Sequence, residues 1–123
     1  MDIKNKKIMI CDDDQGILDV LEMILEPEGY TVFKEIDSTL LLKRLKSEQP
    51  DLLLLDLWMP VLSGYDIIKQ VRADRKIQTL PIIVLSASRN EEKIALETGC
   101  DKFISKPFDM NELIASVGKI TEI

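Results

Sequence analysis

Apolar and polar positions follow two rhythms along this chain, and the rhythms take turns. Short apolar runs at Lys7–Cys11, Asp51–Asp56 and Ile82–Leu85 are too brief for helices and have no polar face. They predict strands covered on both sides. Elsewhere apolar residues recur every three or four positions. Ile17, Leu18, Leu21, Ile24 and Leu25 do so, as do Leu41, Leu42 and Leu45, then Ile67, Ile68 and Val71, and finally Met110, Leu113, Ile114, Val117 and Ile120. That spacing predicts helices with one apolar stripe.

The punctuation agrees. Pro27 lacks an N–H and crowds the preceding turn, so the first helix is expected to end or kink near Leu25. Tyr30–Ile36 predicts a more polar strand at a sheet edge. Ser38 is expected to cap a helix over Thr39–Ser47. Pro50 precedes the strand holding Leu52 to Leu55, Gly64 lies in a loop before the third helix, and Pro81 opens the fourth strand. Glu91–Glu97 predicts a short helix stopped at Gly99, and Lys102–Ser105 predicts the last strand.

Strand followed by helix, five times over, implies an α/β fold with helices on both faces of a parallel sheet. Right-handed crossovers leave few topologies. The expected one is a five-stranded, flavodoxin-like doubly wound sandwich of three layers, strand order 2-1-3-4-5, as a single domain over residues 1–123. Its ligand site belongs at the carboxyl ends of the strands, where the order reverses between strands one and three.

Composition narrows the function. The formal charge is −6 and the pI about 4.7, which argues against direct nucleic-acid binding, since phosphate contacts need clustered Lys and Arg. The polar start, Asp2 to Lys7, gives no signal peptide, and no apolar run approaches the ~20 residues of a membrane span. No membrane insertion and a cytoplasmic location are expected. Cys11 and Cys100 match no zinc spacing and are expected as buried, reduced thiols. With no histidine in the chain, catalytic triads with His, phosphohistidine carriers and His-ligated metals are excluded.

The polar residues at the strand ends carry the chemistry. Asp12, Asp13 and Asp14 follow strand one, Asp56 ends strand three, Ser86 ends strand four and Lys106 follows strand five. Singly, each has an ordinary explanation: Asp14 as a helix cap, Ser86 as a turn residue, Lys106 as a solvated charge. Jointly, they converge on the rim where a ligand is expected. Clustered carboxylates repel one another, and a hard cation held through oxygens offsets that repulsion; few protein ligands plus a phosphate is the habit of magnesium. A carboxylate beside such an ion can attack phosphorus to give an aspartyl phosphate, while the ion and a lysine neutralise charge on the transferring oxygens.

On these residues the sequence resembles the receiver domains of two-component response regulators, over essentially the whole chain. The resemblance lies in Ile-Met-Ile-Cys-Asp-Asp-Asp, Leu-Leu-Leu-Asp-Leu-Trp-Met-Pro, Pro-Ile-Ile-Val-Leu-Ser-Ala-Ser and Gly-Cys-Asp-Lys-Phe-Ile-Ser-Lys-Pro-Phe, in that order. It implies Asp56 as the phosphoacceptor. Asp13 would touch magnesium, or manganese in its place, directly and Asp12 through water, with Asp56 and the backbone carbonyl of Trp58 as further ligands. Lys106 would contact the phosphoryl oxygens, and Ser86 would swing in to hydrogen-bond them as Phe103 changes rotamer. Pro107 matches a position that follows a cis peptide bond in relatives, and Ala87 is small, as phosphate access requires. The donor would be phosphohistidine on a sensor histidine kinase or a histidine phosphotransfer protein. The phosphoryl group would bias a two-state equilibrium and reposition the face made by helix four, strand five and helix five, which would meet a downstream effector. Such a domain signals; it is not an enzyme in the ordinary sense, although it assists its own phosphorylation and dephosphorylation.

Several positions depart from the family pattern. Ser63-Gly64 stands where Asp-Gly is usual. Trp58 is bulky two residues after the acceptor; its ring is expected either to shield an aspartyl phosphate from water or to pack on the surface. Phe103 lacks the tyrosine hydroxyl many relatives carry, and Asn111 stands where winged-helix regulators often have Arg. The segment from Ser86 to Gly99 is about two residues shorter than usual, which bears on the length and tilt of helix four. The competing enzyme reading is a haloacid-dehalogenase-like phosphatase with Asp12 as nucleophile, since Asp12-Asp13-Asp14 contains an Asp-x-Asp. A cap domain and a paired acidic motif after the lysine are absent from the pattern. A second alternative is a degenerate receiver serving as a passive adaptor, although no chemical residue is missing. Whether the receiver stands alone or belongs to a longer regulator stays open.

Overall fold

A computed structural model describes residues 5–122. Five strands and five α-helices alternate: β1 Lys7–Cys11, α1 Gln15–Leu25, β2 Thr31–Glu35, α2 Ser38–Glu48, β3 Leu52–Asp56, α3 Gly64–Ala73, β4 Ile82–Ser86, α4 Glu92–Thr98, β5 Lys102–Ser105 and α5 Met110–Thr121. Every strand pair is parallel and the order is 2-1-3-4-5, as the alternation implies.

The unbroken leucine run has a direct cause. Successive strand residues face opposite sides, and both sides are covered. Met9, Cys11, Leu53 and Leu55 face a core completed by Leu41 and Leu45 of α2 and Ile67, Ile68 and Val71 of α3. Ile8, Ile10, Leu52 and Leu54 face the other core, completed by Leu18, Leu21 and Leu25 of α1 and Leu113 and Val117 of α5. All five residues of β3 are buried. β2, at the edge, keeps a half-exposed pattern.

Helix ends are set by side chains. Asp14 caps α1, its carboxylate accepting from the Gly16 and Ile17 amides at 2.8 and 3.4 Å. α1 ends at Leu25, and a 3-10 turn over Glu26–Glu28 holds Pro27. The cap of α2 is Asp37, not Ser38. The Asp37 carboxylate accepts from the Thr39 amide at 2.9 Å, while Ser38 is already helical and buried, its hydroxyl donating to the Pro60 carbonyl at 3.2 Å. A carboxylate is the stronger acceptor, and the Ser38 hydroxyl is drawn inward instead. Ser63 and Asp66 form a reciprocal capping box on α3, so the serine in place of the usual aspartate still caps.

The fourth helix differs from expectation in its start. Arg89–Glu91 is a 3-10 turn, and α4 proper has seven residues with only Ala95 buried. Gly99, at φ 132°, ends it in a conformation that side chains rarely adopt.

Candidate functional site

The acidic residues converge because β1 and β3 are neighbours ending at the same level, with Cys11 opposite Leu55. Asp12 follows β1 directly and Asp56 is the last residue of β3. One oxygen from each of Asp12, Asp13 and Asp56 lies within 4.8 Å of the others. Asp12 is 2% exposed and Asp56 8%, while Asp13 is open to solvent. Asp14, the third acidic residue of the run, points to the helix amides instead.

Lys106 completes the group. Its ammonium lies 2.8 Å from Asp12 Oδ2 and 3.4 Å from Asp56 Oδ1. Its backbone amide donates to the Ser86 carbonyl at 2.7 Å, tying the loop after β5 to the end of β4. The Lys106–Pro107 peptide is cis, as the resemblance implies. Ser86 is fully buried next to this rim, and its hydroxyl accepts from its own Ser88 amide at 3.3 Å. Phe103 is half-buried on β5 against the core that holds Val84 and Ala95.

The charge balance is uneven. Asp56 is pushed up to about 6, first by burial and then by the Asp12 charge, with Lys106 opposing. Burial works to lower the Lys106 pKa, but the Asp12 hydrogen bond and the Asp56 and Asp12 charges outweigh it, and the net direction is upward. The ammonium therefore stays charged, yet one cation does not neutralise three carboxylates. A hard divalent cation fits this donor set, which is all oxygen, partly buried and short of positive charge. Cys11 lies just beneath, its thiol 3.6 Å from the Met59 sulfur. Burial, then the Glu35, Asp12 and Asp56 charges, push its pKa up to about 12, so it stays a neutral thiol. Cys100 is likewise free and buried.

Gly64 is required here by space. A Cβ on it would press into the Asp56 carbonyl oxygen and the Leu57 backbone. Its amide donates to the Leu57 carbonyl at 2.7 Å, locking the start of α3 against the end of β3.

Trp58 is 59% exposed. Its indole N–H donates to the Glu91 carboxylate at 2.6 Å, and its ring meets Tyr65 edge-on at 6.0 Å. Nothing in the sequence marks Glu91 or Tyr65 as partners of Trp58. They stand 33 and 7 positions from Trp58, and no local pattern links an acid on a turn to a distant indole. Among the described residues no helix is long and apolar enough to cross a membrane.

A family model described as the response regulator receiver domain matches residues 8–118. The alkaline phosphatase synthesis transcriptional regulatory protein PhoP of Bacillus subtilis is 37% identical over 118 residues, which cover 94% of this chain and 48% of that protein. The chain thus spans about half the length of that curated relative. Among solved structures, the Francisella response regulator 1452 receiver domain matches with a TM-score of 0.88 and 28% identity, over 96% of this chain and 98% of that one. The receiver domain of a sensor histidine kinase from Pseudomonas aeruginosa, with a magnesium ion coordinated in its active-site cleft, matches with a TM-score of 0.88 and 26% identity, over 97% of this chain and 99% of that one.

Proposed function

Since this chain belongs to the response regulator receiver domain family of two-component systems, we propose that it accepts a phosphoryl group on Asp56 from phosphohistidine of a sensor histidine kinase or histidine phosphotransfer protein. The observation that carries this reading is the clustering of Asp12, Asp13 and Asp56 within 4.8 Å, with Lys106 bridging two of them. In the transfer, an Asp56 carboxylate oxygen attacks phosphorus, the P–N bond to the donor imidazole breaks, and its electron pair returns to the ring.

Asp12, Asp13, Asp56 and the Trp58 carbonyl would hold magnesium or manganese. Such a cation supplies neutralising charge to the phosphoryl oxygens. Lys106 supplies a second positive charge, already held against Asp56. Asp12 is engaged by the Lys106 ammonium and the Asp14 amide, which makes it a fixed charge; Asp56, its oxygens held among the described residues by the longer Lys106 contact alone, is the better nucleophile. Ser86 would leave its own loop amide to donate to the phosphoryl group, with Phe103 following. The surface of α4, β5 and α5 would carry the change to an effector. Residues 1–123 act as one receiver in this reading, in the cytoplasm, without binding nucleic acid directly.

Phosphotransfer from a labelled phosphohistidine donor tests it. The label should move to wild-type protein in the presence of magnesium, be released by hydroxylamine, and fail to move to Asp56→Asn. Label on Asp12 instead would favour the phosphatase chemistry.

A further inference from the structure

Two aromatic side chains and one carboxylate meet beside the site, and the phosphotransfer above uses none of them. Trp58 lies in the loop after β3, Tyr65 in the first turn of α3, and Glu91 at the end of the 3-10 turn before α4. The indole N–H donates to Glu91 at 2.6 Å. The Tyr65 hydroxyl is buried and, among the described residues, finds no hydrogen-bond partner of acceptable geometry. Burial, then the Glu91 charge and a hydrogen-bonding approach of the same carboxylate, raise its pKa, so the carboxylate is near this hydroxyl, without a well-formed bond to it, while serving the indole. A buried hydroxyl without a partner is costly, and a carboxylate turned toward it removes that cost. Glu91 therefore faces two donors, with a short bond to the indole and a poorly formed approach to the phenol.

We propose that Glu91 is a two-position latch, a positioning residue that holds the Trp58 N–H in the resting receiver and passes to the Tyr65 O–H when the Ser86 loop closes on phosphorylated Asp56. This rests on the functional reading above. Ser86 is anchored in β4, and Glu91 stands five residues further on. The Ser86 hydroxyl is turned to its own loop, accepting from Ser88. Drawing that loop toward Asp56 displaces the Arg89–Glu91 turn, and the tie to Trp58 resists the displacement. Trp58 is two residues from Asp56, so the tie runs from the acceptor loop to the switching loop. Passing to Tyr65 exchanges one hydrogen bond to a carboxylate for another. The exposed Trp58 N–H can return to water whereas the buried Tyr65 hydroxyl cannot, so the balance between the two positions is set by where the loop holds Glu91, and a phosphoryl group can bias it.

Labelling of the 123-residue chain by acetyl phosphate with magnesium tests the latch, with the rate read by mass spectrometry. Trp58→Phe removes the resting partner and should speed labelling about three- to tenfold, while Tyr65→Phe removes the second partner and should slow it by a similar factor. On a Glu91→Ala background either change should alter the rate by less than about twofold, as expected when the shared partner is gone. Emission of Trp58, the one tryptophan, should shift less on labelling in Tyr65→Phe than in wild type. A purely structural role would move both variants the same way, in step with their melting temperatures. Rates that move together, or not at all, while wild type labels on Asp56 overturn the latch alone. Wild type that takes no label on Asp56 overturns the functional reading, and the latch with it.

Discussion

At the amino ends of the strands the charged groups have settled partners, whereas at the carboxyl ends two buried carboxylates share one ammonium. Arg72 donates to the carbonyls of Gly99, Gln78 and Leu80 at 2.7–2.9 Å and to Asp101 at 3.0 Å. Asp101 also accepts from the Ile82 amide at 2.8 Å. The Lys7 amide donates to Asp51 at 2.8 Å, and its ammonium to the Glu48 carbonyl at 3.1 Å. These groups complete one another and tie the strands and helix ends together. At the opposite edge Asp56 is held near 6, chiefly by burial. One edge is finished by the protein itself; the other is left for charge from outside.

Substitutions at the two edges should therefore separate stability from chemistry. Arg72→Ala would leave three carbonyls without this donor and Asp101 with the Ile82 amide but no ion pair, at a cost of about 2–3 kcal/mol. Denaturant unfolding should show that loss, while labelling of Asp56 persists in the folded fraction.

Asp56→Asn should act in the opposite sense on the metal-free protein. A folded pKa raised from 3.8 to about 6 means the folded state holds this proton more tightly than the unfolded chain. The group's contribution is present below pH 3.8 and is lost as pH rises through about 6. The variant escapes that loss. Its stability relative to wild type should grow between about pH 4 and pH 7 by roughly 1–2 kcal/mol, a figure reduced for the partly open rim. Magnesium should shrink the gap, because a bound cation favours the ionised wild-type carboxylate. Asp19, Asp37 and Asp74, whose pKa values are lowered, push the overall profile the other way, so the difference between the two proteins is the quantity to measure.

Asp14→Ala gives the smallest effect. This residue belongs to the acidic run by sequence but to α1 by function, so its loss should cost about 1 kcal/mol of stability and leave the labelling rate near wild type.

Asp14 also marks how far the sequence could be read. The strands were legible because helices on both faces demand apolar residues at every position, as in Leu52–Leu55. The site was legible because Asp12, Asp56, Ser86 and Lys106 each stand where an apolar run stops. Less legible was the choice between neighbours able to do the same job, and Asp37 rather than Ser38 caps α2 for that reason. The 3-10 turn before α4 was hidden by weak patterning, since Ala95 is the one buried residue in α4. Arg72 and Glu91 were hidden because their partners are brought to them by the fold, 27 and 33 positions away for Gly99 and Trp58.

The most direct measurement is the mapping of the phosphoryl adduct after incubation with acetyl phosphate, with and without magnesium. A hydroxylamine-sensitive adduct should form, confined to the peptide containing Asp56 and dependent on the divalent cation. An adduct on Asp12, or one on Asp56 that forms equally well in chelator, would contradict the proposed transfer.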